Sequence, residues 1–222
     1  MSEPTLPYLE IGAPRGEAKM CVILVHGLGA DGNDFASFAE ALCKVAEARK
    51  WRFVLPHAPA QKVTINMGME MPAWYDIIDF EHPRNVNWDT VRESQDQIEA
   101  LMQEEKGAKK IILAGFSQGG AMALHVGLRN QQVVNGILVM SGYLLESESE
   151  PAPKSEKNFQ LALHHGSDDP VVPVAAAERT REALIKAGYS PSMSIYEGLE
   201  HAVCNEEFNH VYEWLDYIDQ NT

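Results

Sequence analysis

Short, near-continuous apolar runs recur along this chain, each followed by a longer stretch with helical apolar spacing. No other feature constrains the fold as much. The runs are residues 19–26 (KMCVILVH), 51–55, 109–114, 135–141, 159–165 and 192–196. Helical stretches are expected at 34–50, where Phe35, Phe38, Leu42 and Val45 share a face, and at 88–105, where Val91, Ile98, Leu101 and Met102 do. Others are expected at 118–130, 174–187 and 203–218. A strand that is apolar throughout must be covered on both faces, and strands joined by helical crossovers run parallel. The expectation is an α/β fold: a mainly parallel sheet with helices on both faces. The stretch 8–11 is expected to be an antiparallel edge strand. With no internal repeat and no dividing linker, residues 1–222 are expected to form a single domain, large enough to need no metal or disulfide staple.

Two segments break the alternation. Residues 144–158, rich in Glu, Ser and Pro, are expected to be a surface loop. Residues 56–87 carry no clear periodicity, and irregular stretches this long inside a domain are usually functional. Met67, Met69, Met71, Trp74 and Tyr75 fall in it, and a solvated tail would not carry them.

The formal net charge of −14 excludes a nucleic-acid partner, which needs basic surface to displace phosphate counterions. The same charge disfavours anionic membrane surfaces, and no apolar run approaches the ~20 residues that span a bilayer. The N-terminus MSEPTLPYLE lacks the basic start and apolar core of a secretion signal. Cys21, Cys43 and Cys204 are odd in number and far apart, which fits reduced thiols rather than a disulfide framework. A cytoplasmic protein with no integral membrane association is expected.

Gly115-Phe116-Ser117-Gln118-Gly119 matches G-x-S-x-G. Three fixed positions of about 7% frequency each recur by chance in roughly one chain in thirteen of this length, so the motif counts only with its setting. Here an apolar strand runs into it and a helical stretch leaves it, which is the setting that projects a serine hydroxyl above a sheet. A serine nucleophile needs a base, and the base an orienting acid, in the chain order Ser, Asp or Glu, His. Of eight histidines, only His201 stands between the last strand and the last helix. The acid is expected after the strand ending at His165, where Asp168 and Asp169 compete; the following proline favours Asp169 weakly by holding its backbone extended. A Cys204–His201 nucleophile is outweighed by a packed thiol at a helix start. Oxyanion donors are expected at the amides of Gln118, the residue after the nucleophile, and Leu28, in the loop after an early strand. That loop also reads G-x-G-x-x-G at Gly27, Gly29 and Gly32, but the next strand ends in Leu55-Pro56-His57, without the acidic residue that a dinucleotide ribose requires.

The segments LVHGLGADGNDF, PHAP, MPAWYDI, LAGFSQGGAMAL, HGSDDPVVP and EGLEHAV resemble, in this order, the bacterial carboxylesterase and acyl-protein thioesterase family, also called phospholipase/carboxylesterase. The resemblance implies an α/β-hydrolase fold without a large cap domain, and a Ser117–Asp169–His201 triad with Leu28 and Gln118 at the oxyanion hole. Counting from the HG motif selects Asp169. The implied substrates are carboxylic esters or thioesters, including S-acylated proteins or lysophospholipids, with no metal or cofactor, and homodimers are common in the family. Glu200 adds a charge before His201 that departs from the family's usual turn. Met67, Met69, Trp74 and Tyr75 are expected to line an acyl groove, since thioethers and aromatics suit varied apolar chains, with a structural clasp packed on the sheet as the alternative for any one of them. The alternatives are a lysophospholipase, a non-catalytic hydrolase-like binding module and, more weakly, a peptidase.

Overall fold

The computed structural model describes residues 6–79, 85–145 and 159–221. The strands are β1 (Tyr8–Gly12), β2 (Met20–Val25), β3 (Trp51–Pro56), β4 (Ala60–Val63), β5 (Met69–Pro72), β6 (Lys110–Phe116), β7 (Gly136–Met140), β8 (Gln160–Gly166) and β9 (Ser192–Tyr196). The helices are α1 (Ala36–Val45), α2 (Trp88–Glu104), α3 (Gln118–Arg129), α4 (Val174–Lys186) and α5 (Asn205–Asn221). Seven strands form one sheet in the order β1-β3-β2-β6-β7-β8-β9. Every pairing in it is parallel except β1 with β3, so the antiparallel edge strand is observed where expected.

The continuous apolar runs have a direct cause. Along β2, Cys21, Ile23 and Val25 pack into one layer while Met20, Val22 and Leu24 pack into the other. The first layer includes α2, α3 and α4 through Val91, Ile98, Leu101, Ala121, Leu124 and Leu184. The second includes α1 and α5 through Ala39, Leu42, Val211, Leu215 and Ile218. Each fully buried aliphatic side chain contributes about 1.5–3 kcal/mol, so both layers are needed to hold the sheet. Helix α3 lies innermost and is buried from Gln118 to Leu128. Among the described residues no helix is long and apolar enough to cross a membrane.

Three stretches differ from the periodicity. The expected 34–50 helix is shorter: a 3-10 turn at Gly32–Phe35 capped by Asp31, then α1, then a second 3-10 turn at Glu47–Arg49. Lys50 turns left-handed at φ 57° and redirects the chain into β3. The aperiodic 56–87 stretch holds a hairpin, β4 against β5 in a separate two-stranded sheet. Of its eight strand residues only Val63 is buried, so no apolar alternation was available to announce it. Most of the expected 144–158 loop lies outside the described residues.

At the end of the sheet where β2 begins, Arg52 and Glu105 are buried together at 2% and 1% side-chain exposure. Arg52 Nε donates to Glu105 at 3.0 Å and its Nη2 to Glu10 at 2.7 Å, while Arg15 donates to Glu105 and Glu104. This network ties β1, β3 and the end of α2 together, leaving the other end of the parallel strands for the loops that follow β2, β6, β8 and β9.

Candidate active site

Ser117 stands between β6 and α3 at φ 55°, ψ −119°. Such a conformation costs a residue with a Cβ about 1–3 kcal/mol and persists only where its surroundings impose it. Here the Ser117 amide donates to Met140 O at 2.9 Å and its carbonyl accepts from Ala121 N at 3.0 Å. The flanking glycines are required by contact. A Cβ on Gly119 would stand 2.1 Å from the Val25 carbonyl oxygen, and one on Gly115 would stand 2.2 Å from Gly119 O. Without them α3 could not start so close to the end of β2.

His201 arrives on the turn after β9, and the site depends on how closely that turn crosses β8. A Cβ on Gly166 would stand 2.1 Å from Leu199 O. The two loops are then stitched by Ser167 N to Tyr196 O at 2.9 Å and Asp168 N to Leu199 O at 3.1 Å. His201 Nε2 lies 2.9 Å from Ser117 Oγ, and Nδ1 lies 2.6 Å from Asp169 Oδ2. Its ring packs on Phe116 with centroids 4.7 Å apart.

Asp169 is 5% exposed and turned inward. Its Oδ1 accepts from the amides of Val171 and Val172, both at 2.8 Å, which leaves Oδ2 for His201. Beneath it, His165 Nε2 lies 2.7 Å from Val172 O and 3.5 Å from Asp169 Oδ2. Burial pushes the His165 pKa down, so a neutral ring donates to the Val172 carbonyl and braces the acid-bearing loop. Asp168 is exposed and accepts the Ser167 hydroxyl instead.

The other described histidines have partners elsewhere. His26 Nε2 accepts from Ala58 N, His57 Nδ1 accepts from Gly32 N, His125 pairs with Gln95, and His164 and His210 flank the Tyr196 hydroxyl. Cys204 Sγ accepts from Glu207 N at the start of α5.

A cleft of about 370 Å³ opens over Ser117 and His201, with Leu28 and Gln118 on its wall. Gln118 opens α3, so its amide has no intrahelical acceptor. In the 27–32 loop Gly29 N donates to Pro72 O, Ala30 N to Gly27 O and Gly32 N to His57, and among the described residues no acceptor is paired with the Leu28 amide. Among the described residues no group of three or more His, Cys, Asp or Glu side chains is arranged to hold a metal ion.

The expected acyl-groove residues do not line this cleft. Trp74 and Tyr75 are fully buried: the Trp74 indole donates to His26 O at 2.9 Å, and the Tyr75 and Tyr143 hydroxyls are 2.7 Å apart. Met67 and Met69 sit on the hairpin at 90% and 53% exposure, outside the cleft wall. Apolar content alone could not separate a core clasp from a groove. The apolar wall is instead Leu28, Ile65, Ile77, Phe116, Tyr143 and Val171. Ile65, Ile77 and Val171 lie in turns and loops, where no periodicity marks them.

A serine at a strand–helix elbow, with an aspartate and a histidine delivered in that order by later strands of a parallel sheet, defines the class of α/β-hydrolases. The chain belongs to the phospholipase/carboxylesterase family, whose model matches residues 6–219. It is accordingly an enzyme, a hydrolase of ester-type bonds. Acyl-protein thioesterase 1 of Neurospora crassa is 36% identical over 207 residues, covering 87% of this chain and 84% of the relative. The crystal structure of Arabidopsis thaliana SOBER1 superposes with a TM-score of 0.81 at 25% identity, covering 90% of this chain and 99% of that one. Acyl-protein thioesterase 2 of Zea mays shares the fold, with a TM-score of 0.83 at 24% identity over 96% of this chain and 99% of its own.

Proposed function

We propose that Ser117, His201 and Asp169 form a catalytic triad that hydrolyses acyl esters and thioesters through an acyl-enzyme. The observation that carries the reading is the continuous hydrogen-bonded path from Ser117 Oγ through His201 to the buried carboxylate of Asp169. Ser117 Oγ attacks the carbonyl carbon as its proton passes to His201 Nε2. The carbonyl oxygen becomes an oxyanion held by the Leu28 and Gln118 amides, preorganised donors that need not reorient as charge develops. His201 then gives the proton to the departing alcohol or thiol. Water, deprotonated by the same imidazole, releases the acid and restores Ser117. Asp169 accepts from His201 Nδ1 and so holds the imidazole with its proton on that nitrogen.

The apolar wall of Ile65, Ile77, Tyr143 and Val171 suits an acyl chain. S-acylated protein cysteines are the substrates we favour, supported by the similarity to the Neurospora thioesterase. A cytoplasmic location is supported by the three unpaired thiols. Ser117→Ala should abolish turnover of a p-nitrophenyl ester and labelling by a fluorophosphonate while leaving the circular dichroism spectrum unchanged; turnover that survives the substitution would remove Ser117 from the mechanism. An acyl series of paired esters and thioesters, with lysophosphatidylcholine included, then separates thioesterase from lysophospholipase preference.

A further inference from the structure

The two candidate oxyanion donors sit on different elements: Leu28 on the loop after β2, Gln118 at the start of α3. Beyond the direct approach of Gly119 to the end of β2, a separate piece of chain bridges them. The Gln118 side chain, 2% exposed, accepts from Trp74 N at 2.9 Å through Oε1 and donates to Tyr75 O at 2.8 Å through Nε2. The Trp74 indole donates to His26 O at 2.9 Å, and Pro72 O accepts from Gly29 N at 2.9 Å. Residues 72–75 thus grip the loop on both sides of Leu28 and grip Gln118 by its own side chain. Ser94 of α2 donates its hydroxyl to Trp74 O and anchors this segment from behind.

We propose that the Gln118 carboxamide and the Trp74 indole are positioning residues that hold the Leu28 and Gln118 amides at the separation an oxyanion requires. The inference rests on the oxyanion reading above and extends it to side chains. The chemistry of position 118 follows from its two partners. The side chain must accept from a backbone N–H and donate to a backbone C=O, one from each arm of a planar group, and a carboxamide supplies both whatever the pH. A carboxylate there would set an oxygen against Tyr75 O, and a thioether would satisfy neither partner. Donors act only near 2.7–3.1 Å from the oxyanion, so a small drift of either loop weakens charge stabilisation in the transition state while leaving ground-state binding alone.

The test is Gln118→Met, which keeps side-chain length and removes both bonds, measured for kcat and KM on a p-nitrophenyl ester. Affinity for an alkyl trifluoromethyl ketone is measured in parallel. Ser117 Oγ adds to the ketone carbon, His201 takes the proton and the carbonyl oxygen becomes an oxyanion, so this ligand reports the donors directly. We expect kcat to fall about 10- to 100-fold, below the loss for deleting a donor outright, with KM within about threefold and ketone affinity falling in parallel with kcat. Trp74→Phe removes the bond to His26 O together with part of the buried indole; it should move kcat and ketone affinity in the same direction, and it carries the test if Gln118→Met does not fold. A kcat within about threefold of wild type in the folded variant overturns the proposal, as does a fall in kcat with ketone affinity unchanged. Loss of activity in Ser117→Ala beside an unaffected Gln118→Met would sink the strut alone. Retained activity in Ser117→Ala would sink the oxyanion reading and the strut with it.

Discussion

Replacing Asp169 by Asn isolates what the buried carboxylate does. Oδ1 of Asp169 accepts two backbone amides at 2.8 Å, and Oδ2 accepts His201 Nδ1 at 2.6 Å. An asparagine can keep its single oxygen on the Val171 and Val172 amides, so the loop stays closed. Its NH2 group then faces His201 Nδ1, which must accept rather than donate. The imidazole proton moves to Nε2, where it points at Ser117 Oγ and blocks removal of the hydroxyl proton. Correct geometry with the wrong tautomer is expected to lower kcat on the order of 10⁴-fold, about 5.4 kcal/mol of barrier, with KM little changed. The assay is steady-state hydrolysis of a p-nitrophenyl ester beside urea unfolding of the same preparations. Asp169→Ala should show the same kinetic loss plus a stability cost of about 1–3 kcal/mol for the buried Val172 amide left unpaired. Asp168→Asn, exposed and outside this network, should change neither readout. A loss below tenfold in folded Asp169→Asn would refute the argument that the carboxylate sets the tautomer.

Other substitutions test the scaffold. Gly166→Ala forces a Cβ to within 2.1 Å of Leu199 O, and the strain should cost about 1–3 kcal/mol in urea melts. The displaced His201 turn should lower kcat/KM by about 100-fold, measurable on the same ester. Glu105→Gln leaves the 2%-exposed Arg52 short of its buried partner and should destabilise the fold by about 3 kcal/mol, with unchanged activity per folded molecule. Burial lowers the His125 pKa from 6.5 to about 4. Between those values the unfolded chain binds a proton that the native state refuses, so the contribution is complete above pH 6.5 and is lost as pH falls toward 4. It amounts to about 3 kcal/mol at most, and the difference between wild type and His125→Gln in urea melts across that window should reveal it; parallel curves would refute it.

Much of the site was legible because its constraints are local or ordered along the chain. A strand entering G-x-S-x-G and a helix leaving it already imply a strained elbow, and Ser117 has its positive φ there. Position after the last strand was enough to single out His201 among eight histidines, because parallel strands deliver their following loops to one end of the sheet. In sequence only a neighbouring proline and the family's spacing favour Asp169 over Asp168; in the structure Asp169 turns inward and Asp168 outward. The β4–β5 hairpin left no such trace, since strands with solvent on most sides need no apolar alternation. Trp74 and Tyr75 leave groove and clasp open for a related reason: a large apolar side chain is equally suited to either, and burial puts these two in the core.

The amino-acid sequence alone determined the layered α/β architecture, the serine elbow and the order of the three candidate catalytic side chains. Each follows from periodicity or from short-range steric rules carried by neighbouring residues. Tertiary structure decided which residues form the cleft wall and what the 72–75 segment does. Those outcomes depend on contacts between segments far apart in sequence, such as Gln118 with Trp74, 44 residues apart. No local pattern encodes such a contact; it is set only when both layers of the sheet are packed.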